Sequence, residues 1–107
     1  MAANPLLTLG LVGSAQGTLT DGSGTITAGG TAQTVFTSNA NRKYFFLQNI
    51  SSGTLWFNFT TTAVTNEPSI QLVAGASYAM GIGGYISTEA ISIIGASTGQ
   101  AFVAKQG

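Results

Sequence analysis

The side chains that usually perform catalysis are almost absent from this chain of 107 residues. It contains no histidine and no cysteine, so the most frequent general base and the thiol nucleophile are both missing. The side-chain carboxylates are Asp21, Glu67 and Glu89. Each falls in a different predicted loop, whereas hydrolysis by paired acids needs two carboxylates close together. We therefore predict that the protein has no catalytic residue and is not an enzyme.

The sequence also gives no support for a serine–lysine catalytic pair, a metal site or a nucleotide-binding loop. A serine–lysine pair would have to use Lys43 or Lys105, and both are more simply interpreted as solvated surface lysines. Calcium sites usually need clustered acidic residues, which this sequence lacks. The glycine clusters match neither the phosphate-loop nor the dinucleotide-binding pattern. We expect no metal and no cofactor.

Two segments match the acceptor pattern for N-glycosylation, one starting at Asn49 and the other at Asn58. The pattern is common by chance and has no meaning in a bacterial host. Asn49 is better explained as a polar residue beside a turn, with its side chain bonded to loop backbone.

Charge is sparse and balanced, with three basic and three acidic residues and a formal net charge of zero. Arg42 and Lys43 are adjacent, but two cations do not form the basic stripe that nucleic-acid binding requires. We expect no nucleic-acid partner. A surface with so little charge tends to associate, which favours a homo-oligomer.

Six aromatic residues lie between Tyr44 and Phe59, in two runs separated by a short polar loop. This pattern predicts a β-hairpin with residues 51–53 as its loop and Gly53 in the left-handed region. In that register Leu47 lies opposite Phe57, and both belong to a buried face with Phe57 as the core anchor.

The other face of the predicted hairpin carries Tyr44, Phe46 and Trp56, too many aromatic residues for open solvent. Three explanations compete: coverage by the same chain, contact with another protein, and stacking against a sugar. Large exposed apolar patches mark interaction sites, and tyrosine and tryptophan are enriched there. We assign these residues to a protein interface.

Short apolar segments recur at regular intervals after residue 24, separated by glycine, serine and asparagine. Residues 90–94 and 100–104 predict a last hairpin around the loop 97–99, and residues 85–87 a short edge piece. No segment has a helical apolar stripe. Residues 23–107 therefore predict an all-β domain, an antiparallel, jelly-roll-like β-sandwich of seven to eight short strands with almost no helix.

Residues 1–22 form a separate predicted unit, an extended N-terminal arm. Its apolar run has no basic segment before it, unlike a signal peptide, and is shorter than the roughly 20 residues of a membrane span. We expect no membrane partner. The arm should instead dock on an apolar protein surface through Pro5, Leu6, Leu7, Leu9 and Leu11.

Several short motifs share their order with one family of proteins. They are GTIT at 24–27, GTAQ at 30–33, NRK at 41–43, LQN at 47–49, SSGTLWFNF at 51–59, AGAS at 74–77 and GASTGQAF at 95–102. This order resembles that of small virion proteins of tailed bacteriophages. The resemblance covers residues 24–107 and excludes the arm.

The resemblance implies a β-sandwich on the outer capsid surface, a decoration or cement protein made in the bacterial host cytoplasm. Its implied partners are the major capsid protein and itself, with a homotrimer favoured over a dimer. Two alternatives stay open at this point. One is a tail or baseplate accessory protein. The other is a carbohydrate-binding module on the virion, using Trp56 and Tyr44.

Overall fold

A computed structural model describes residues 17–81 and 83–107, which form two antiparallel β-sheets packed face to face. These residues include no helix. Their strands are β1 (Thr20–Asp21), β2 (Gly24–Thr25), β3 (Gln33–Phe36), β4 (Phe45–Asn49), β5 (Leu55–Asn58), β6 (Ile70–Leu72), β7 (Ser77–Met80), β8 (Ile91–Gly95) and β9 (Ala101–Gln106).

The first sheet has the strand order β1-β9-β4-β7, with β2 also paired to β9, and the second has the order β3-β8-β5-β6. Of the links between successive strands from β2 to β9, only β5 to β6 stays within one sheet. This alternation between sheets is that of a jelly roll. The predicted all-β sandwich is therefore confirmed.

The predicted central hairpin is wrong, because β4 belongs to the first sheet and β5 to the second. Leu47 is paired with Tyr78 and Ala104, and Phe57 with Ile70 and Ile93. Residues 51–53 are thus an arch between the sheets. Both strands still point alternate side chains into one core, which an arch satisfies as well as a hairpin does.

The same correction applies to the predicted hairpin at the C-terminus, since β8 lies in the second sheet and β9 in the first. Gly99 in its connection has a positive φ of 93°. Gly53 is not among the residues with positive φ. Its lack of a side chain matters for space instead, because a Cβ there would lie 2.8 Å from Nε2 of Gln100.

The core lies between the sheets and was predicted correctly from the alternation in the two aromatic runs. Phe45, Leu47, Leu55 and Phe57 are each fully buried. The buried cluster is completed by Ile26, Phe36, Leu72, Met80, Ile91, Ile93, Phe102 and Ala104.

Two amide side chains fix the arches at one end of the sandwich. Oδ1 of Asn49 accepts bonds from the N–H and hydroxyl of Ser51, and Nδ2 donates to the carbonyls of Gly53 and Leu72. Gln100 donates to the Thr54 carbonyl and accepts from the Ser97 N–H. The predicted bonding of Asn49 to loop backbone is confirmed. Its burial also removes it as a glycan acceptor in the folded chain.

Two further segments differ in detail from the sequence-based expectation. Thr20 and Asp21, at the end of the predicted arm, pair with Gln106 and Lys105 as strand β1. Residues 85–87 form no strand, and they lie in the long connection between β7 and β8. The described part of the chain contains no helix of the length and apolarity needed to cross a membrane.

Candidate interaction surfaces

Phe46 and Trp56 lie on opposite outer surfaces of the sandwich. Phe46 alternates with the buried Phe45 and Leu47, so its side chain faces outward from the first sheet. Trp56 alternates with buried neighbours on β5 and faces outward from the second sheet. The predicted single aromatic face is therefore wrong. The reason is the arch, which turns the outward sides of β4 and β5 away from each other.

Tyr44 extends the Phe46 side. It exchanges two backbone hydrogen bonds with Gly107, at 3.0 and 3.1 Å, and so continues the β4–β9 ladder by one residue. Its alternation with Phe45 places it on the outer side of the first sheet. Tyr44 and Trp56 thus cannot form one sugar-stacking platform. The predicted arm residues Pro5, Leu6, Leu7, Leu9 and Leu11 lie outside the described residues.

The outer face of the first sheet carries one ion pair among uncharged side chains. Phe46 is paired across the strands with Ala79 on one side and Lys105 on the other. The next outward row is Ser77, Gln48 and Val103. The charge of Lys105 is matched by Asp21, whose Oδ1 is 3.1 Å from the lysine Nζ.

Asp21 is held as a carboxylate by short bonds. Its Oδ1 accepts from the Ser23 hydroxyl at 2.6 Å and from the Ser23 N–H at 3.1 Å. These bonds, strengthened by Lys105, lower the pKa of Asp21 from 3.8 to about 2. Because Ser23 Oγ also accepts from the Ala104 N–H, the cluster fastens the β1–β2 edge to β9.

The lowered pKa of Asp21 predicts a specific pH dependence. A carboxyl whose pKa is lower in the folded state stabilises the fold above its unfolded pKa, and this contribution is lost as pH falls through the folded value. A carboxyl-carbon NMR titration should give a midpoint near 2 for Asp21. Ser23→Ala should raise the midpoint towards 3.8, and more than Lys105→Met does, because the serine bonds have the larger effect. An unchanged midpoint in Ser23→Ala would contradict this explanation.

Arg42 holds together the end of the sandwich away from the Asn49 arch, and sequence-based reasoning missed it. It is 2% exposed, and it is one of the few buried charged or polar side chains in the described residues. Its Nη atoms donate to the carbonyls of Thr37, Ser87 and Glu89 at 2.8–3.0 Å, and Nε donates to the side chain of Gln106. Burial lowers the pKa of Arg42.

Several exposed apolar side chains were also missed because they lie in connections. Tyr85 is 73% exposed and follows the glycine-rich segment 81–84. Ile50 and Val73 are each about half exposed and flank the Asn49 arch, where Asn49 bonds to Leu72 and Gly75. The signal for Tyr85 was its position after a glycine cluster, where a large side chain has little structure to cover it.

The three carboxylates come from separate elements: Asp21 from β1, Glu67 from the β5–β6 connection and Glu89 from the β7–β8 connection. Among the described residues no group of three acidic, cysteine or histidine side chains could hold a metal ion.

Comparison with known proteins does not place the chain in a family. No family model matches it, and no curated protein matches it. One solved structure, from work describing Bacillus endospore appendages as a novel family of disulfide-linked pili, aligns with a TM-score of 0.43 and 17% sequence identity. The alignment covers 86% of this chain and 88% of that one. This similarity is too low to indicate a function.

Proposed function

We propose that the protein is a non-enzymatic structural component of a tailed-bacteriophage particle that binds the outside of the capsid and stabilises it. The observation that carries this proposal is the outer face of the first sheet. Phe46 lies there between Ala79 and Lys105, and the charge of Lys105 is offset by Asp21. Interface centres are depleted of charge and enriched in aromatic residues, so this face suits a protein partner.

The resemblance of residues 24–107 to phage virion proteins supplies the identity of the partner, the major capsid protein. The β-sandwich is compatible with it, since the resemblance implies that architecture. The residue inventory supports a role without catalysis, because no histidine or cysteine is present. Nucleic acid and membrane are not part of the proposal. The protein would be made in the host cytoplasm and reside on the outer capsid surface.

Self-association is part of the proposal, with a homotrimer favoured over a dimer. Strand β7 (Ser77–Met80) is an edge of the first sheet and carries neither lysine nor proline. Edges without such residues are open to pairing with another chain. The apolar residues of the arm, Pro5, Leu6, Leu7, Leu9 and Leu11, would contact a neighbouring subunit or the capsid.

Replacing Phe46 with aspartate should weaken capsid binding by at least about tenfold, which corresponds to about 1.4 kcal/mol. The new carboxylate would lie opposite Lys105, whose charge is already matched by Asp21, so it would bring a surplus negative charge into the interface. A charge that is not matched is costly once water is removed. The measurement is the fraction of protein that co-sediments with capsids lacking it, as a function of protein concentration.

Gln71→Asp is the matched control, because it adds the same charge to the outer side of the second sheet, in strand β6. It should leave capsid binding unchanged. Equal loss in both variants would contradict the assignment of the binding face. Binding to isolated tails but not to capsids would replace the proposal with a tail or baseplate role.

A further inference from the structure

A groove of about 300 Å³ opens on the outer side of the second sheet. One wall is β3 with Thr34, and another is the loop of Thr60, Thr61 and Thr62. The third is Glu89, at the end of the β7–β8 connection, with Ser92 of β8. The three threonines belong to the connection between β5 and β6. The threonines meet β3 and β8 because that connection folds back over the sheet.

The threonine wall is held in place by Asn58, a side chain that is 3% exposed. Its Oδ1 accepts from the N–H and the hydroxyl of Thr60, each at 2.8 Å, and from the Thr61 N–H at 3.2 Å. Beyond the loop, the Ala63 N–H donates to Ser92 Oγ at 2.9 Å. A wall fixed at both ends needs little further ordering when a ligand binds.

The backbone of Glu89 is also held in place by hydrogen bonds. Its N–H donates to Ser87 Oγ at 3.1 Å, and its carbonyl accepts from the buried Arg42 at 2.8 Å. The ion pair found in the described residues joins Lys105 and Asp21, so the Glu89 carboxylate has no cation bound to it there. The side chain itself is exposed towards the groove that it lines.

The groove thus offers the hydroxyls of Thr34 and Thr62 and the Glu89 carboxylate, without a lysine or arginine in its lining. The hydroxyls of Thr60 and Thr61 already bond to Asn58 and can only add a further contact. Hydroxyls both donate and accept hydrogen bonds, and a carboxylate accepts several. This combination matches a ligand with many neutral hydroxyl groups. A phosphate or an acidic sugar would be repelled by Glu89, because no positive charge in the lining offsets it.

The size of the groove and the residues around it further restrict the class of ligand. The groove lies at the lower end of the range for small-molecule pockets, about 300–1,000 Å³, and so suits roughly one sugar ring. Trp56 faces the same side of the sheet and is paired with Ile94, while Asn58 is paired with Ser92 at the groove. The indole therefore lies two residues before Asn58 on β5, on the same side of the sheet as the groove. A second sugar ring of a bound glycan would contact it there.

We propose that this groove binds a neutral pyranose unit of a glycan through Glu89, Thr34 and the threonine loop. Trp56 extends the contact to the neighbouring unit. The groove lies on the opposite side of the sandwich from Phe46, so its occupancy does not depend on the proposed capsid contact.

The test is an NMR titration of the full chain, labelled with ¹⁵N, using maltotriose, glucose, triacetylchitotriose, galactose and glucuronic acid as probes. At least one neutral sugar should shift the amide signals of residues 33–34, 60–62 and 89–92, and glucuronic acid should not. Glu89→Gln and Thr34→Val should each weaken that binding by about tenfold or more, equivalent to about 1.4 kcal/mol. Because Trp56 contacts a second unit, maltotriose should bind more tightly than glucose, its monomer.

Matched controls are Glu67→Gln and Thr25→Val, the same changes at exposed positions outside the groove. They should bind as the unmodified protein does. The proposal is overturned if no neutral probe shifts the groove signals, or if glucuronic acid binds as well as the neutral sugars. Equal weakening by the Glu89 and Glu67 variants would also overturn it.

Discussion

Phe57→Ala is expected to lower the free energy of unfolding by about 3–5 kcal/mol, the range for removing a buried aromatic side chain. Phe57 is fully buried, and its ring centroid lies 5.1 Å from that of Tyr78 and 6.4 Å from those of Phe45 and Phe59. Truncation would leave a cavity between the two sheets that rings from both of them cannot fill without moving. Urea denaturation monitored by circular dichroism measures the change.

Phe46→Ala is the matched control, since it makes the same truncation on the outward side of β4. It should cost clearly less, because the side chain is only half-buried. A loss below about 1 kcal/mol for Phe57→Ala would be close to that of a surface substitution. It would show that the inward face of β5 is misassigned.

Arg42→Met is expected to cost about 3 kcal/mol or more. The substitution keeps a long, unbranched side chain but removes the guanidinium. Three backbone carbonyls, those of Thr37, Ser87 and Glu89, then lose their hydrogen bonds from Arg42. A buried acceptor left without a partner costs about 1–3 kcal/mol, as at Ser87. The part-buried carbonyls of Thr37 and Glu89 add less each, because water can reach them. The loops that these carbonyls hold should loosen together, which amide hydrogen exchange in residues 37–42 and 87–89 would detect.

Lys43→Met provides the control at the adjacent, exposed position and should change stability by less than about 0.5 kcal/mol. Arg42→Lys should lie between the two, because a lysine has fewer donors and no planar fork to reach separated acceptors. If Arg42→Met were as stable as Lys43→Met, the guanidinium would not be fastening this end of the sandwich.

The inward faces of the strands could be predicted from the sequence because alternation alone defines them. Leu47 and Phe57 were both placed correctly on the buried face. Strand pairing could not be predicted in the same way. A short loop such as 51–53 connects two inward-facing strands equally well as a hairpin or as an arch, and the choice depends on the other strands that fill the sheets.

Which side chains share an outer surface depends on whether the loop forms a hairpin or an arch. This explains why the surface residues could not be grouped correctly from the sequence. Phe46 and Trp56 share a face only in a hairpin, and the arch separates them. The role of Arg42 was missed because three of its four acceptor residues, 87, 89 and 106, are distant in the sequence. The groove beside Thr34 likewise arises only when the loop after β5 reaches β3 and β8.

The most direct measurement of the proposed role is electron cryomicroscopy of capsids that lack the protein, imaged after mixing with the purified full-length chain. The proposal predicts ordered density on the outer capsid surface, in threefold-symmetric clusters at threefold or quasi-threefold positions. Each cluster should place the Phe46 side of the first sheet against protein. Capsids without added density, under conditions in which the protein is folded, would contradict the proposed function.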